Sequence, residues 1–172
     1  RQVSNQSGFT PPADGTFTRA QLERYVAVER QMHTSLGTRF DQIKARYEQL
    51  QTKSRAGGDV RTITEGLAAL KDLAGLVFDV KKVHVEALNQ QNMSLGEYRC
   101  DEVYAAAGVP LSSLHLSAIV EAAKSGDAGK IDDALSGRTE TVGADVPAAN
   151  RALVAPYRKQ LEEWVALAWL GF

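Results

Sequence analysis

Apolar residues recur at alternating steps of three and four along two long stretches of this chain. Between Thr18 and Lys53 the stripe reads Leu22, Tyr25, Val26, Met32, Leu36, Phe40, Ile43, Tyr47, Leu50. Between Val60 and Gln91 it reads Val60, Ile63, Leu67, Leu70, Ala74, Val77. This step is that of a helix with one buried face. The link between them is short and holds Gly57-Gly58, which predicts an antiparallel hairpin. The pattern therefore predicts an all-α protein, in which a long antiparallel helical hairpin packs with a C-terminal helix and short connecting helices.

Local signals sharpen the element ends. Thr18 and Gln21 have capping-box spacing, and Phe17 and Leu22 suit a hydrophobic staple. Gly37 interrupts the first stripe at about 1 kcal/mol relative to Ala. Asp59 is placed to cap the second helix. Ser94 and Glu97 repeat the capping-box spacing and predict a short helix with an apolar face of Leu95, Tyr98, Val103 and Tyr104, closed by Gly108 and Pro110. Ser112 or Ser113 opens a fourth segment with Leu114, Leu116, Ile119 and Val120, followed by a turn at Ile131–Leu135 and a loop over Ser136–Gly143. Asp145 and Pro147 start the last helix, whose stripe is Leu153, Tyr157, Leu161, Trp164, Ala168. Pro156 falls inside that pattern and predicts a kink or break.

Residues 1–16 carry no such period. They are polar and hold Gly8, Pro11, Pro12 and Gly15, a composition expected of a flexible arm ahead of a single helical domain over 17–172. The chain starts at Arg1 and not Met, and with this arm it has the look of a bacterial protein exported to the periplasm or secreted, its signal peptide removed.

Composition narrows the function classes. Lys plus Arg number 20 against 21 Asp plus Glu, for a net charge of -1, so there is no basic field for nucleic acid. No apolar run reaches the roughly 18 residues of a membrane span. One cysteine, Cys100, excludes an internal disulfide. Phosphate loops, nucleophile elbows and haem or zinc spacings are absent from the sequence, and no cofactor is expected.

Three groups of residues could still carry function. In an antiparallel hairpin turning near Ala56, residue i lies level with roughly 112 minus i. That register brings Glu29, His33 and His84 to one level, where they could hold a metal or sense protons. The carboxylate bundles that bind metal use Glu-x-x-His pairs, and Glu29 and His33 have the wrong spacing, so a structural polar layer is the expected role. Cys100, between Arg99 and Asp101, lacks a Cys-His signature and is expected to be an inert thiol. Tyr98 and Tyr104 on the short helix, with Trp169 and Phe172 at the C-terminal end, are the aromatic groups suited to binding a partner.

The function expected from these residues is that of a non-enzymatic, exported, protein-binding accessory factor or subunit, through a protein partner or self-association. The alternative is a bundle holding an apolar small molecule or a metal between its long helices, with Tyr25, Phe40, Tyr47, Phe78 and Trp164 as a lining.

Overall fold

The computed structural model describes residues 2–55, 61–111 and 146–168. Most of the described residues are helical, with no strand among them. Helix α1 spans Arg19–Leu36, α2 Thr38–Arg55, α3 Arg61–Gln90, and α4 Cys100–Ala107. After the undescribed stretch, α5 spans Ala148–Val154, a 3-10 turn covers Ala155–Tyr157, and α6 spans Arg158–Ala168. The helices predicted over Ser112–Leu135, and the loop after them, lie outside the described residues.

The first long stripe forms two helices. Thr18 caps α1 with the full capping box: its hydroxyl accepts from Gln21 N–H, and the Gln21 side chain accepts from Thr18 N–H. The helix stops at Gly37, whose φ of 49° and ψ of -125° suit only a residue without Cβ. Its N–H still donates to His33 O at 3.2 Å, and α2 restarts at once. The stripe survives the break, because Leu36, Phe40 and Ile43 are all buried. Val60 lies outside the described residues, and on α3 so do the side chains of residues 61–74.

The hairpin is antiparallel. Arg39 of α2 pairs with Asp79 of α3, while His84, further along α3, sits level with residues near the middle of α1. Helix α3 ends on Asn92, a non-glycine residue at φ 49°. Met93 N–H reaches back to Leu88 O at 2.9 Å, the bond pattern of a left-handed helix stop, and Met93 is buried beneath it.

The short helix begins later than its capping signal implied. Ser94 Oγ accepts from Glu97 N–H at 3.3 Å, but this makes a single turn. Arg99 leaves helical geometry at φ -96°, ψ 69°, and α4 starts at Cys100. The turn thereby points Tyr98 inward. Gly108, at φ 67°, stops α4, with Val109 N–H bonded to Tyr104 O at 3.1 Å.

Pro156 breaks the last pattern as its missing N–H requires: α5 ends at Val154 and α6 resumes at Arg158. Leu161, Trp164 and Leu167 of α6 complete the core against α1, α2 and α4. No described helix is long and apolar enough to cross a membrane.

Residues 2–17 are irregular but make defined contacts. Val3 is buried, Ser4 N–H donates to Asn89 Oδ1 at 2.6 Å, and Asn89 Nδ2 donates to Gln2 O at 3.2 Å. Asn150 of α5 holds the other end of this segment: Phe17 N–H donates to its Oδ1 at 3.1 Å, and its Nδ2 donates to Gly15 O at 3.0 Å.

Candidate functional site

The densest group of chemically capable side chains is buried where α1, α3, α4 and the turn before α4 meet. Tyr25 and Glu29 are four residues apart on α1, so they share one face. Tyr98 arrives from the turn and stacks on Tyr25, with ring centroids 4.9 Å apart and planes 28° apart. His84 of α3 packs against the other side of the site, 4.6 Å from the Tyr98 ring at 56°. Cys100, at the start of α4, completes it.

Glu29 is the centre. It is fully buried, and its Oε1 accepts from the hydroxyls of Tyr25, at 3.2 Å, and Tyr98. Its Oε2 has no hydrogen-bond partner among the described residues. The Tyr25 oxygen also lies 3.5 Å from Cys100 Sγ. A phenol has one proton, so Tyr25 serves the carboxyl and the thiol one at a time.

Burial governs the protonation states. Desolvation lifts the Glu29 carboxyl from 4.5 to about 7, against the two tyrosine hydrogen bonds that lower it. Desolvation drops His84 from 6.5 to about 4. It also pushes Tyr25, Tyr98 and Cys100 well above their ordinary values, the last assisted by the neighbouring Glu29 charge. The cluster thus favours uncharged forms throughout: neutral imidazole, phenols, thiol and, on the acid side of neutrality, carboxylic acid. A thiol held protonated is a poor nucleophile.

Of the three residues that the register placed at one level, Glu29 and His84 both meet Tyr98 in this cluster, and His33 lies apart. Glu29 faces the tyrosines, and His84 packs on Tyr98. His33 instead turns toward α2 and α6, with its ring 4.5 Å from Phe40 and 5.9 Å from Trp164 and its Nε2 4.0 Å from Glu163. The break at Gly37 and the approach of α6 account for this, since they provide His33 with an aromatic neighbourhood of its own. Among the described residues, no three His, Cys, Asp or Glu side chains converge as metal ligands.

Tyr98 and Tyr104 are buried and lie within the core. Trp169 and Phe172 lie outside the described residues. Of the side chains that could line a ligand cavity, Tyr25, Phe40 and Trp164 are packed in the core, whereas Phe78 is 71% exposed on α3; the Tyr47 side chain lies outside the described set. A cleft lined by Phe17, Gln21, Leu22, Tyr25, Glu97, Arg99 and Val103 has a volume of about 10 Å³, room for one water. Arg24 and Glu97 form an ion pair at its rim.

The sequence places Glu29 and His84 at one level, but that register does not join Tyr98, expected on a binding surface, or Tyr25 and Cys100 to them. The four-residue step from Tyr25 to Glu29 on the buried face was the available signal for Tyr25. Nothing in the sequence marked the inward turn that brings Cys100 alongside. The chain matches no known family model, no curated protein and no solved structure.

Proposed function

We propose that this is a non-enzymatic, exported helical protein that acts by binding another protein, as an accessory factor or subunit. The observation that carries this reading is Phe78, a large apolar side chain 71% exposed on the hairpin helix α3. The fold leaves uncollected most of the roughly 1.5–3 kcal/mol that full burial of such a side chain would contribute, and a partner surface could supply it.

The chemistry of the interior supports the same reading. The groups capable of acid–base or nucleophilic work are buried and biased toward their uncharged forms, Tyr25 and Tyr98 are hydrogen-bonded to Glu29, and the adjoining cleft has room for a single water. Export rests on the composition of the leading segment.

The test places a photo-crosslinking residue at position 78 in the native host. A discrete adduct, lost when the probe moves to exposed Lys44 of α2, supports a partner surface on α3. Absence of any adduct at 78 under conditions where the protein is folded and abundant refutes it. Cell fractionation tests export, and recovery of the protein with the cytosol would remove that part.

A further inference from the structure

Residues 2–9 are bound to the body of the protein as a short peptide is bound to a receptor. Asn89 reads the main chain on both sides of Val3: its amide accepts from Ser4 N–H at 2.6 Å and donates to Gln2 O at 3.2 Å. A carbonyl at one position and an N–H two positions on point the same way, so one carboxamide satisfies both without regard to side chains. Asn5 Nδ2 then donates to Asn92 O at 2.7 Å, on the residue whose left-handed backbone stops α3.

Two side chains give the segment its anchors. Val3 is 6% exposed and belongs to the core cluster. Phe9 lies under the Arg99 guanidinium, 6.0 Å from ring centroid to Cζ, and against Gly96, where an added Cβ would meet Phe9 Cβ at 3.4 Å. The acceptor is therefore the end of α3 and the turn that follows it, with Asn89, Asn92, Gly96 and Arg99 each touching the segment.

The connection to the rest of the chain is an exposed turn, held locally by Gly15 N–H on Pro12 O at 2.9 Å and by Thr16 on Asp14, and it is the hinge available to the segment. Residues 10–14 are all exposed and include Pro11 and Pro12, and Gly15 beyond them has φ +69°. Beyond the hinge the chain is fixed again by Asn150. Two anchored parts joined by a short exposed hinge are the arrangement that permits exchange, because every contact made within one copy can be made between two.

We infer that the end of α3 and the 91–99 turn form an acceptor for residues 2–9 of a second copy, so that two chains can exchange these segments. This surface is separate from Phe78, so it stands or falls independently of the partner-binding reading. Within one chain the segment is favoured by its effective concentration. Exchange is therefore best seen when each copy lacks one half of the contact.

The experiment uses two full-length variants. Val3→Ser with Phe9→Ser keeps the acceptor and disables the segment; Asn89→Ala keeps the segment and disables the acceptor. Circular dichroism first checks that both keep the parent's helix content; if the double variant loses it, Val3→Ser alone replaces it. Sedimentation velocity and hydrogen exchange are then run on each variant and on their equimolar mixture. The expected result is monomers alone, a heterodimer in the mixture, and at least tenfold slower exchange at residues 2–5 of the Asn89→Ala chain only when mixed. A labelled peptide with the sequence of residues 2–9 should bind the segment-disabled variant at least tenfold more tightly than it binds the parent. Folded variants that stay monomeric when mixed, up to millimolar concentration, overturn the proposal. So does peptide binding with no heterodimer, which would assign the acceptor to segments of other proteins.

Discussion

Replacing Glu29 by Gln should make stability depend more steeply on pH between about 5 and 7 than in the parent, because it unmasks His84. Burial raises Glu29 from 4.5 to about 7 and lowers His84 from 6.5 to about 4. The Glu29 contribution is fully present below its unfolded value and is lost as pH rises through about 7. The His84 contribution has the opposite sign: it is fully present above 6.5 and is lost as pH falls through about 4. Across the shared window the native chain keeps one proton on Glu29, and the unfolded chain keeps one on His84. The number bound is the same, and the slope of stability with pH follows the difference in that number. The pair thus adds almost no slope across that window. In Glu29→Gln the amide oxygen still accepts from Tyr25 and Tyr98, but only His84 titrates. Stability should then fall by roughly 2 kcal/mol between about pH 7 and about pH 5, or on the order of 4–8 °C in melting temperature for a chain of this size. Urea unfolding followed by far-ultraviolet circular dichroism, repeated across that range, measures it. A variant whose slope matches the parent's would refute the reasoning, because one of the two shifts would then be absent.

His84→Gln should produce the mirror image, with stability falling by roughly 2 kcal/mol from about pH 5 to about pH 7, read by the same titration. Gly37→Ala should cost roughly 1–3 kcal/mol, since no L side chain accepts φ 49° with ψ -125°, and chemical denaturation checks it. Cys100 should react with a thiol reagent only at the rate of global unfolding, because it is buried and held protonated; fast labelling of the native protein would contradict this. Native-state amide exchange should find Ser4 N–H protected through Asn89, while residues 10–14 exchange freely.

The helices were legible in the sequence because their signals are local. The Thr18–Gln21 box, the stripe through Leu22, Leu36 and Ile43, and the break at Pro156 depend on residues within a turn or two of each other. Gly37 was legible as a weak point but not as an end, since propensity gives glycine a cost and does not give it a backbone angle. The start of the short helix was misread for a related reason. Ser94 and Glu97 do make their local bond, and the helix is then diverted by Tyr98, whose ring and hydroxyl are satisfied by Tyr25 and Glu29, far away in sequence. The site was half legible. Spacing on α1 joins Tyr25 to Glu29, but a register estimate along straight helices cannot foresee that His33 will turn to Trp164 on α6. The segment before α1 was read from composition as flexible, and composition carries no information about Asn89 and Asn150, the side chains that hold its two ends.

The grip of Asn150 on Gly15 and Phe17 also bears on how the chain is made. Phe17 and Asn150 are 133 positions apart, so the bond between them closes one of the longest loops this chain can form. During synthesis at roughly 5–20 residues per second, the start of α1 waits on the order of ten seconds for the residue that fastens it. Its own capping box can form at once, and the hairpin can assemble, but the approach to the first helix stays unfastened until the last helices emerge. The order of events is thereby written into one amide: local helices first, the fastening of Gly15 and Phe17 by Asn150 after them.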